Sequence, residues 1–153
     1  MLRLSKLTDY AVVVLVRLSR EAGVQTSPGI AAGTGIPEPT VAKVLKTLAA
    51  GGLVASQRGA RGGYRLQRPL AAIPVADVIA AVDGPIALTA CVEASAVECE
   101  TRGLCPMQGR WEPVNEAIEQ ALASITLADM QEAAIPRAFR VPAHGSAPLP
   151  AAE

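Results

Sequence analysis

The residues with the clearest chemical potential are three cysteines in one stretch of a 153-residue chain. Cys91, Cys99 and Cys105 follow the pattern C-x7-C-x5-C within a segment, 85–106, that has no helical or strand periodicity. Thiolates bind zinc and iron–sulfur clusters, and structural zinc sites usually contain Cys-x2-Cys pairs, which are missing here. The wide spacing therefore favours a cluster over zinc. A thiol redox switch and unligated cysteines that pack as small apolar side chains both stay open as alternatives.

No catalytic constellation accompanies these thiols. The single histidine, His144, lies in a Pro/Ala-rich tail, and the chain has no P-loop, no Ser–His–Asp set and no paired acid motif. We therefore expect a protein that is not an enzyme. Neither a membrane span nor a secretory signal is visible, and three cysteines without an export signal are typical of the reducing cytoplasm.

A second group of polar side chains lies on a helix predicted from residue 40 to residue 50. Its apolar residues recur at i, i+3, i+4 and i+7, which predicts one buried face: Val41, Val44, Leu45 and Leu48. Short hydroxyl and basic side chains occupy its other faces and suit the major groove of DNA. These candidate DNA-binding residues are Thr40, Lys43, Lys46 and Thr47.

The segment after this helix predicts a β-hairpin with strands over 53–57 and 64–66. Arg58 and Arg61 stand at or near its glycine-rich turn. An arginine on a narrow hairpin can enter a minor groove, so both are candidate DNA-binding residues. The alternative is an ordinary hairpin whose arginines serve solubility.

The charge distribution supports a polyanionic partner. Residues 1–68 carry ten Lys/Arg and three Asp/Glu, a balance of +7, whereas residues 69–153 carry four and eleven, a balance of −7. A basic half favours nucleic acid, because each neutralised phosphate releases counterions.

Two helices are predicted ahead of the basic one. Apolar spacing predicts the first over 7–18, with Ser5 or Thr8 as N-cap. A weak second helix over 27–33 is predicted to begin with Ser27 as N-cap. Three helices followed by a hairpin form the outline of a winged helix-turn-helix.

The C-terminal half predicts helices over 74–82, 111–125 and 127–131. The helix over 111–125 has an apolar stripe with near-heptad spacing, which favours pairing with a second copy, although packing on its own domain is the alternative. The stripe consists of Trp111, Val114, Ile118, Ala121, Leu122 and Ile125.

The predicted fold is mostly α with a small β-hairpin wing, a winged helix-turn-helix domain plus a long C-terminal dimerisation helix. The predicted boundaries are 1–84 for the DNA-binding domain, 85–107 for the cysteine loop, 108–131 for the dimerisation helix and last short helix, and 132–153 for a disordered tail.

Five short motifs carry a family resemblance: Leu7-Thr-Asp-Tyr-Ala11, Thr40-Val-Ala-Lys43, Gly52-Leu-Val-Ala-Ser56, Arg58-Gly-Ala-Arg-Gly-Gly-Tyr64 and Val78-Ile-Ala-Ala-Val-Asp-Gly84. Followed by three cysteines, they resemble the IscR family, bacterial winged-helix regulators of iron–sulfur cluster biogenesis, and especially its SUF-system regulator branch. The resemblance spans about residues 1–131. It implies a homodimeric transcription factor, usually a repressor, that binds a palindromic promoter and senses a 2Fe-2S cluster, or in some members a 4Fe-4S cluster.

By position, Cys91, Cys99 and Cys105 match the three cysteine ligands of that family. The best-known members carry a histidine where this chain has Gln108, and their first cysteine gap is shorter. The fourth ligand is therefore left open. The candidates are Gln108, Glu93, Glu98, Glu100, a residue of the partner subunit and an exogenous thiol.

Overall fold

A computed structural model describes residues 3–101 and 103–132 of the chain. In chain order, the elements are α1 (Lys6–Ser19), α2 (Ser27–Thr34), α3 (Glu38–Ala50), β1 (Val54–Gln57), β2 (Gly63–Leu66), a 3-10 turn (Leu70–Ala72), α4 (Val75–Asp83), α5 (Glu112–Ala123) and α6 (Leu127–Gln131). The described residues are mostly helical with one two-stranded hairpin, which confirms the predicted fold class. The tail from residue 133 onward, with His144, lies outside the described residues. In the described part, no helix combines the length and apolarity that crossing a bilayer requires.

Helix α1 is the centre of the core. Ala11, Val14 and Leu15 are fully buried on one face, as the apolar spacing predicts. Of the two predicted caps, Ser5 is the N-cap, because its Oγ accepts the Thr8 N–H at 3.1 Å. Thr8 is instead the buried polar residue of the first turn.

The predicted cap of α2 is wrong by one residue. Thr26 has extended backbone dihedrals, and its Oγ1 accepts the Gly29 N–H at 3.2 Å, so Thr26 is the N-cap. Ser27 is the first helical residue and its hydroxyl is buried. Gly35, at φ 73°, ends the helix in the left-handed conformation that glycine adopts readily.

Helix α3 buries the predicted face and packs against α1, α2 and α4. Its end approaches α4 very closely at Gly51. A Cβ built on Gly51 would lie 2.7 Å from the Ala81 Cβ, so two small residues allow this close helix packing. The position of α3 is therefore tied directly to that of α4.

The hairpin pairs Val54 with Leu66 and Gln57 with Gly63 in antiparallel register. A third segment, which was not predicted from the sequence, joins it: Gln25 N–H donates to Tyr64 O at 2.9 Å, and Tyr64 N–H donates to Gln25 O at 2.8 Å. This bridge ties the hairpin to the chain between α1 and α2. The wing is thus attached to the helical core on both sides.

The predicted helix over 111–125 forms as the shorter α5, while α6 has the predicted bounds. Backbone hydrogen bonds from Val75 N to Ile125 O (2.8 Å) and from Leu127 N to Ile73 O (3.0 Å) attach the end of the described chain to the start of α4. Leu127 is fully buried in the same core as α1 and α3.

The apolar stripe of α5 divides between two environments. Leu122 and Ile125 pack against the common core. Trp111 and Val114, by contrast, are 40% and 44% exposed. Packing on the protein's own domain therefore accounts for the C-terminal part of the stripe, whereas its N-terminal part stays exposed.

Candidate DNA-binding surface and cysteine loop

Helix α3 presents its polar residues away from the buried face. Lys43 and Lys46 are exposed, and Thr40 and Thr47 are half-buried. The Thr47 hydroxyl donates to Lys43 O at 3.1 Å within the helix. This hydroxyl can therefore accept a hydrogen bond from a ligand but cannot donate one. The four predicted residues thus supply two ammonium groups and two hydroxyls on one helix.

The wing carries two exposed arginines on a turn that glycine makes possible. Arg58 and Arg61 are both exposed, and Gly62 N–H donates to Gly59 O at 2.9 Å across the turn. A Cβ built on Gly62 would lie 2.6 Å from Gln57 O, so any larger residue would force this tight turn open. The backbone of the turn therefore fixes the two positions from which the arginine side chains extend.

Among the described residues, two cations of the basic N-terminal half form salt bridges within the chain. Arg17 pairs with Glu21 at 2.6 Å, and Arg68 pairs with Asp77 at 2.6 Å. Neither pairing was predicted from the sequence, in which both arginines were only counted toward the charge balance of residues 1–68. By contrast, Arg65 is exposed on β2, and the alternation of this strand could have shown that its side chain faces outward.

The cysteine loop between α4 and α5 consists of turns and bends in its described residues. All three cysteines are half-buried. Cys91 and Cys99 line one cavity of about 520 Å³, together with Gln108 and with the carboxylate residues Glu93, Glu98 and Glu112. Among the described residues that line this cavity, Cys105 does not occur.

The donor chemistry of this loop suits a cluster, but its conformation does not gather the donors. Within residues 3–101 and 103–132, no group of three or more His, Cys, Asp or Glu is placed to hold a metal ion. Cys91 Sγ lies 3.1 Å from the Thr89 hydroxyl, and Cys99 Sγ lies 3.6 Å from the Thr101 hydroxyl. A three-thiolate site is therefore not formed in this conformation, and the predicted ligand set stays a prediction.

Two residues of α5 that hold the loop were not predicted from the sequence. Asn115 Oδ1 accepts the Leu88 N–H at 2.9 Å, and its Nδ2 donates to Ile86 O at 2.9 Å. Glu112 Oε2 accepts the Glu93 N–H at 2.9 Å. A signal for Asn115 existed, because it lies seven residues before Leu122 and so falls on the inward side of the helix.

Comparison with known proteins agrees with this architecture. A family model described as "Rrf2: Iron-dependent Transcriptional regulator" matches residues 4–133. The HTH-type transcriptional regulator IscR of Yersinia pestis is 33% identical over 131 residues, which is 84% of this chain and 79% of that protein.

Two solved structures resemble the whole described fold. IscR of T. potens has a TM-score of 0.61 at 30% identity and covers 92% of this chain and 93% of its own. CymR (YrzC), the global cysteine regulator of B. subtilis, has a TM-score of 0.65 at 27% identity, with 87% of this chain and 98% of its own covered. The matching family model and the Yersinia pestis relative are described as transcriptional regulators, which are not enzymes, as expected for this chain.

Proposed function

Because this chain belongs to the Rrf2 family of transcriptional regulators and is IscR-like, we propose that it is a homodimeric repressor of iron–sulfur cluster assembly genes. The observation that carries the DNA-binding part is the surface of α3 and the wing. There, exposed Lys43 and Lys46 share a winged-helix unit with exposed Arg58 and Arg61.

On this proposal, α3 enters the major groove. The ammonium groups of Lys43 and Lys46 contact phosphates or base edges, and Thr40 and Thr47 contribute hydroxyl oxygens. The wing arginines reach the adjacent minor groove or its phosphates. Two copies joined through α5 place their recognition helices one DNA turn apart, about 34 Å.

The proposed dimer face is the N-terminal part of α5. Trp111 and Val114 are exposed there, and Met107 and Leu104 in the preceding loop are 50% and 96% exposed. Grouped apolar side chains of this kind favour burial against a second protein surface. A second copy of the chain meets that requirement and also supplies the two reading heads that a palindromic promoter needs.

For sensing, we propose that Cys91, Cys99 and Cys105 hold an iron–sulfur cluster, with 2Fe-2S preferred to 4Fe-4S. The match to an iron-dependent regulator family and the three thiols of one loop support this. When bound, such a cluster would supply sensitivity to iron, sulfide and oxidants. Among its own candidates for a fourth ligand, this chain has Gln108, Glu93 and Glu98 on the cavity that Cys91 and Cys99 line.

A second candidate is a regulator without a cluster that responds to thiol oxidation. One observation favours it: Cys91 and Cys99 line the same cavity, whereas the described lining does not include Cys105. We also propose that the protein belongs to the SUF-system branch. We further propose a cytoplasmic location, because a DNA-binding regulator works where the chromosome is.

DNA binding is tested with duplexes selected from genomic fragments by the purified protein. Fluorescence anisotropy at several salt concentrations gives both affinity and salt slope. Lys43→Ala/Lys46→Ala should weaken binding and lower the slope by roughly 0.9 for each phosphate that the variant no longer neutralises. Arg20→Ala is the control, because this exposed cation lies at the end of α1, outside α3, the wing and the proposed dimer face. Wild-type protein that binds no duplex at low salt would refute the DNA-binding proposal.

The sensing proposal is tested by visible absorption after anaerobic reconstitution with iron and sulfide. A cluster should give charge-transfer bands that weaken in Cys91→Ala, Cys99→Ala and Cys105→Ala. A colourless protein whose DNA affinity changes with a thiol oxidant would support the second candidate instead.

A further inference from the structure

We infer that α5 fixes the position of Cys91, with Asn115 and Glu112 as the positioning residues, and that this attachment links the cysteine loop to the DNA-binding unit. The inference deepens the regulatory part of the proposed function and rests on it for the role of the loop. The attachment itself is a matter of hydrogen bonds within the described chain and can be measured separately.

Asn115 provides the first attachment. It is 1% exposed and is the buried residue of α5, where an apolar side chain would ordinarily lie. Both polar atoms of its side-chain amide are hydrogen-bonded. The Oδ1 atom accepts from the Leu88 N–H and the Nδ2 atom donates to Ile86 O, each at 2.9 Å. A buried amide without such partners would carry an uncompensated desolvation cost, so the bonds hold the backbone three residues before Cys91.

Glu112 provides the second attachment, one turn earlier on α5. Its carboxylate accepts the Glu93 N–H at 2.9 Å, two residues after Cys91. Between them, Val92 is 4% exposed and anchors the same short segment by burial. Cys91 is therefore held from both sides by a single helix.

The later part of the loop folds through local hydrogen bonds. Leu104 N–H donates to Thr101 O at 3.1 Å, and Gln108 N–H donates to Cys105 O at 3.2 Å. Such short-range turns rearrange without disturbing the core. A ligand or oxidant that draws the thiols together would then move the Cys105 segment toward the fixed Cys91.

The attachment continues into the DNA-binding unit. The segment held by Asn115 begins just after Gly84. Gly84 is the C-cap residue of α4 and has a φ of 91°. Helix α4 approaches the end of α3 closely through Ala81 and Gly51. A shift of α5 or of residues 86–88 therefore acts on α4, and through it on the recognition helix.

The attachment is tested by the rate at which N-ethylmaleimide labels each cysteine, resolved by peptide mass spectrometry on the full chain. Glu112→Ala, which removes one ordinary hydrogen bond, should speed labelling of Cys91 roughly two- to tenfold, and Asn115→Ser, which removes two, should speed it at least as much. Glu116→Ala is the matched control, an exposed glutamate on the same helix. Asn115→Asp keeps an acceptor for the Leu88 N–H but loses the donor to Ile86 O and buries a carboxylate, so it should not restore wild-type labelling.

The link to DNA binding is tested by the ratio of Kd values before and after thiol modification. In Glu112→Ala this ratio, taken against the variant's own unmodified Kd, should approach one. Cys91 labelling that matches the Glu116→Ala control in both Glu112→Ala and Asn115→Ser would overturn the inference, as would an unchanged Kd ratio. Wild-type protein that ignores DNA would refute the proposed function and leave the labelling test of the attachment valid.

Discussion

The Asp83 carboxylate accepts a hydrogen bond from the Thr8 hydroxyl at 2.7 Å, across 75 residues of sequence. The same Oδ2 accepts the Ser5 N–H at 3.2 Å. The end of α4 is thereby fastened to the start of α1, just before the cysteine loop begins. Burial by itself would raise the pKa of Asp83, but the hydrogen bonds from Ser5 and Thr8 outweigh it and lower that pKa below its ordinary value of 3.8.

The lowered pKa gives the first prediction. A carboxyl group with a depressed folded-state pKa stabilises the fold above its ordinary value of 3.8, and that contribution disappears as pH falls through the lower folded value. Asp83→Ala should therefore lower the free energy of unfolding at pH 7 by about 1 kcal/mol, a modest figure because the carboxylate is largely exposed. Urea denaturation followed by circular dichroism measures it.

The difference between wild type and Asp83→Ala should shrink below pH 3.8, where the wild-type carboxyl becomes protonated. Glu116→Gln serves as the control for a general effect of removing one negative charge. If the difference in the free energy of unfolding stays constant between pH 7 and pH 3, the lowered pKa of Asp83 is contradicted.

The contacts between elements could not be predicted from the sequence. The face of α3 was predictable, because Val41, Val44 and Leu45 repeat with the period of a helix and all become buried. The Asp83–Thr8 bond has no such signature, since it depends on how α1 and α4 meet in space. The same holds for the bridge between Gln25 and Tyr64.

Gly63 should be the least replaceable residue of the wing. A Cβ built there would lie 2.4 Å from Gln25 O, and its φ of 153° is one that other residues rarely adopt. Gly63→Ala should therefore break the bridge to Gln25 and cost about 1–3 kcal/mol of stability. Thermal unfolding measures this destabilisation, and DNA affinity should fall with it.

Gly103→Ala is the matched control, because a Cβ at that position meets no atom within 4 Å. Equal stability of the two variants would show that the close approach at Gly63 relaxes without cost.

Arg58 and Arg68 should behave differently although both belong to the basic half. Arg58 is exposed on the wing, whereas Arg68 is bound to Asp77 at 2.6 Å and to Ala72 O at 3.0 Å. Arg58→Ala should weaken DNA binding and reduce the salt slope by about 1 without changing stability. Arg68→Ala should instead lower stability by up to about 1 kcal/mol and leave the slope unchanged.

Anisotropy titrations and urea denaturation on both variants separate the two effects. The assignment of the wing fails if Arg58→Ala keeps wild-type affinity and slope. Arg61→Ala should follow Arg58→Ala, because it is exposed at the other end of the same turn.

The candidate site shows a similar division between what spacing can and cannot predict. Residue types identified the thiols of the loop, and family resemblance suggested what they bind. Nothing in the spacing placed Cys91 and Cys99 at one cavity, because the loop has no periodicity and its path depends on Asn115 and Glu112. Likewise, the stripe on α5 predicted an apolar face without showing that Leu122 packs inward.

Self-association through α5 gives the last prediction. Val114 is 44% exposed on the N-terminal half of α5, beside Trp111, and Met130 is 46% exposed on α6. Val114→Glu would place a charge in the proposed dimer face, where burying it without a partner is costly. Sedimentation equilibrium should show this variant as a monomer with sharply weaker DNA binding. Met130→Glu, a charge at an equally exposed apolar position elsewhere, should stay dimeric. If both variants remain dimers, the subunits meet through a different surface, and the proposed spacing of the two recognition helices must be drawn from that surface instead.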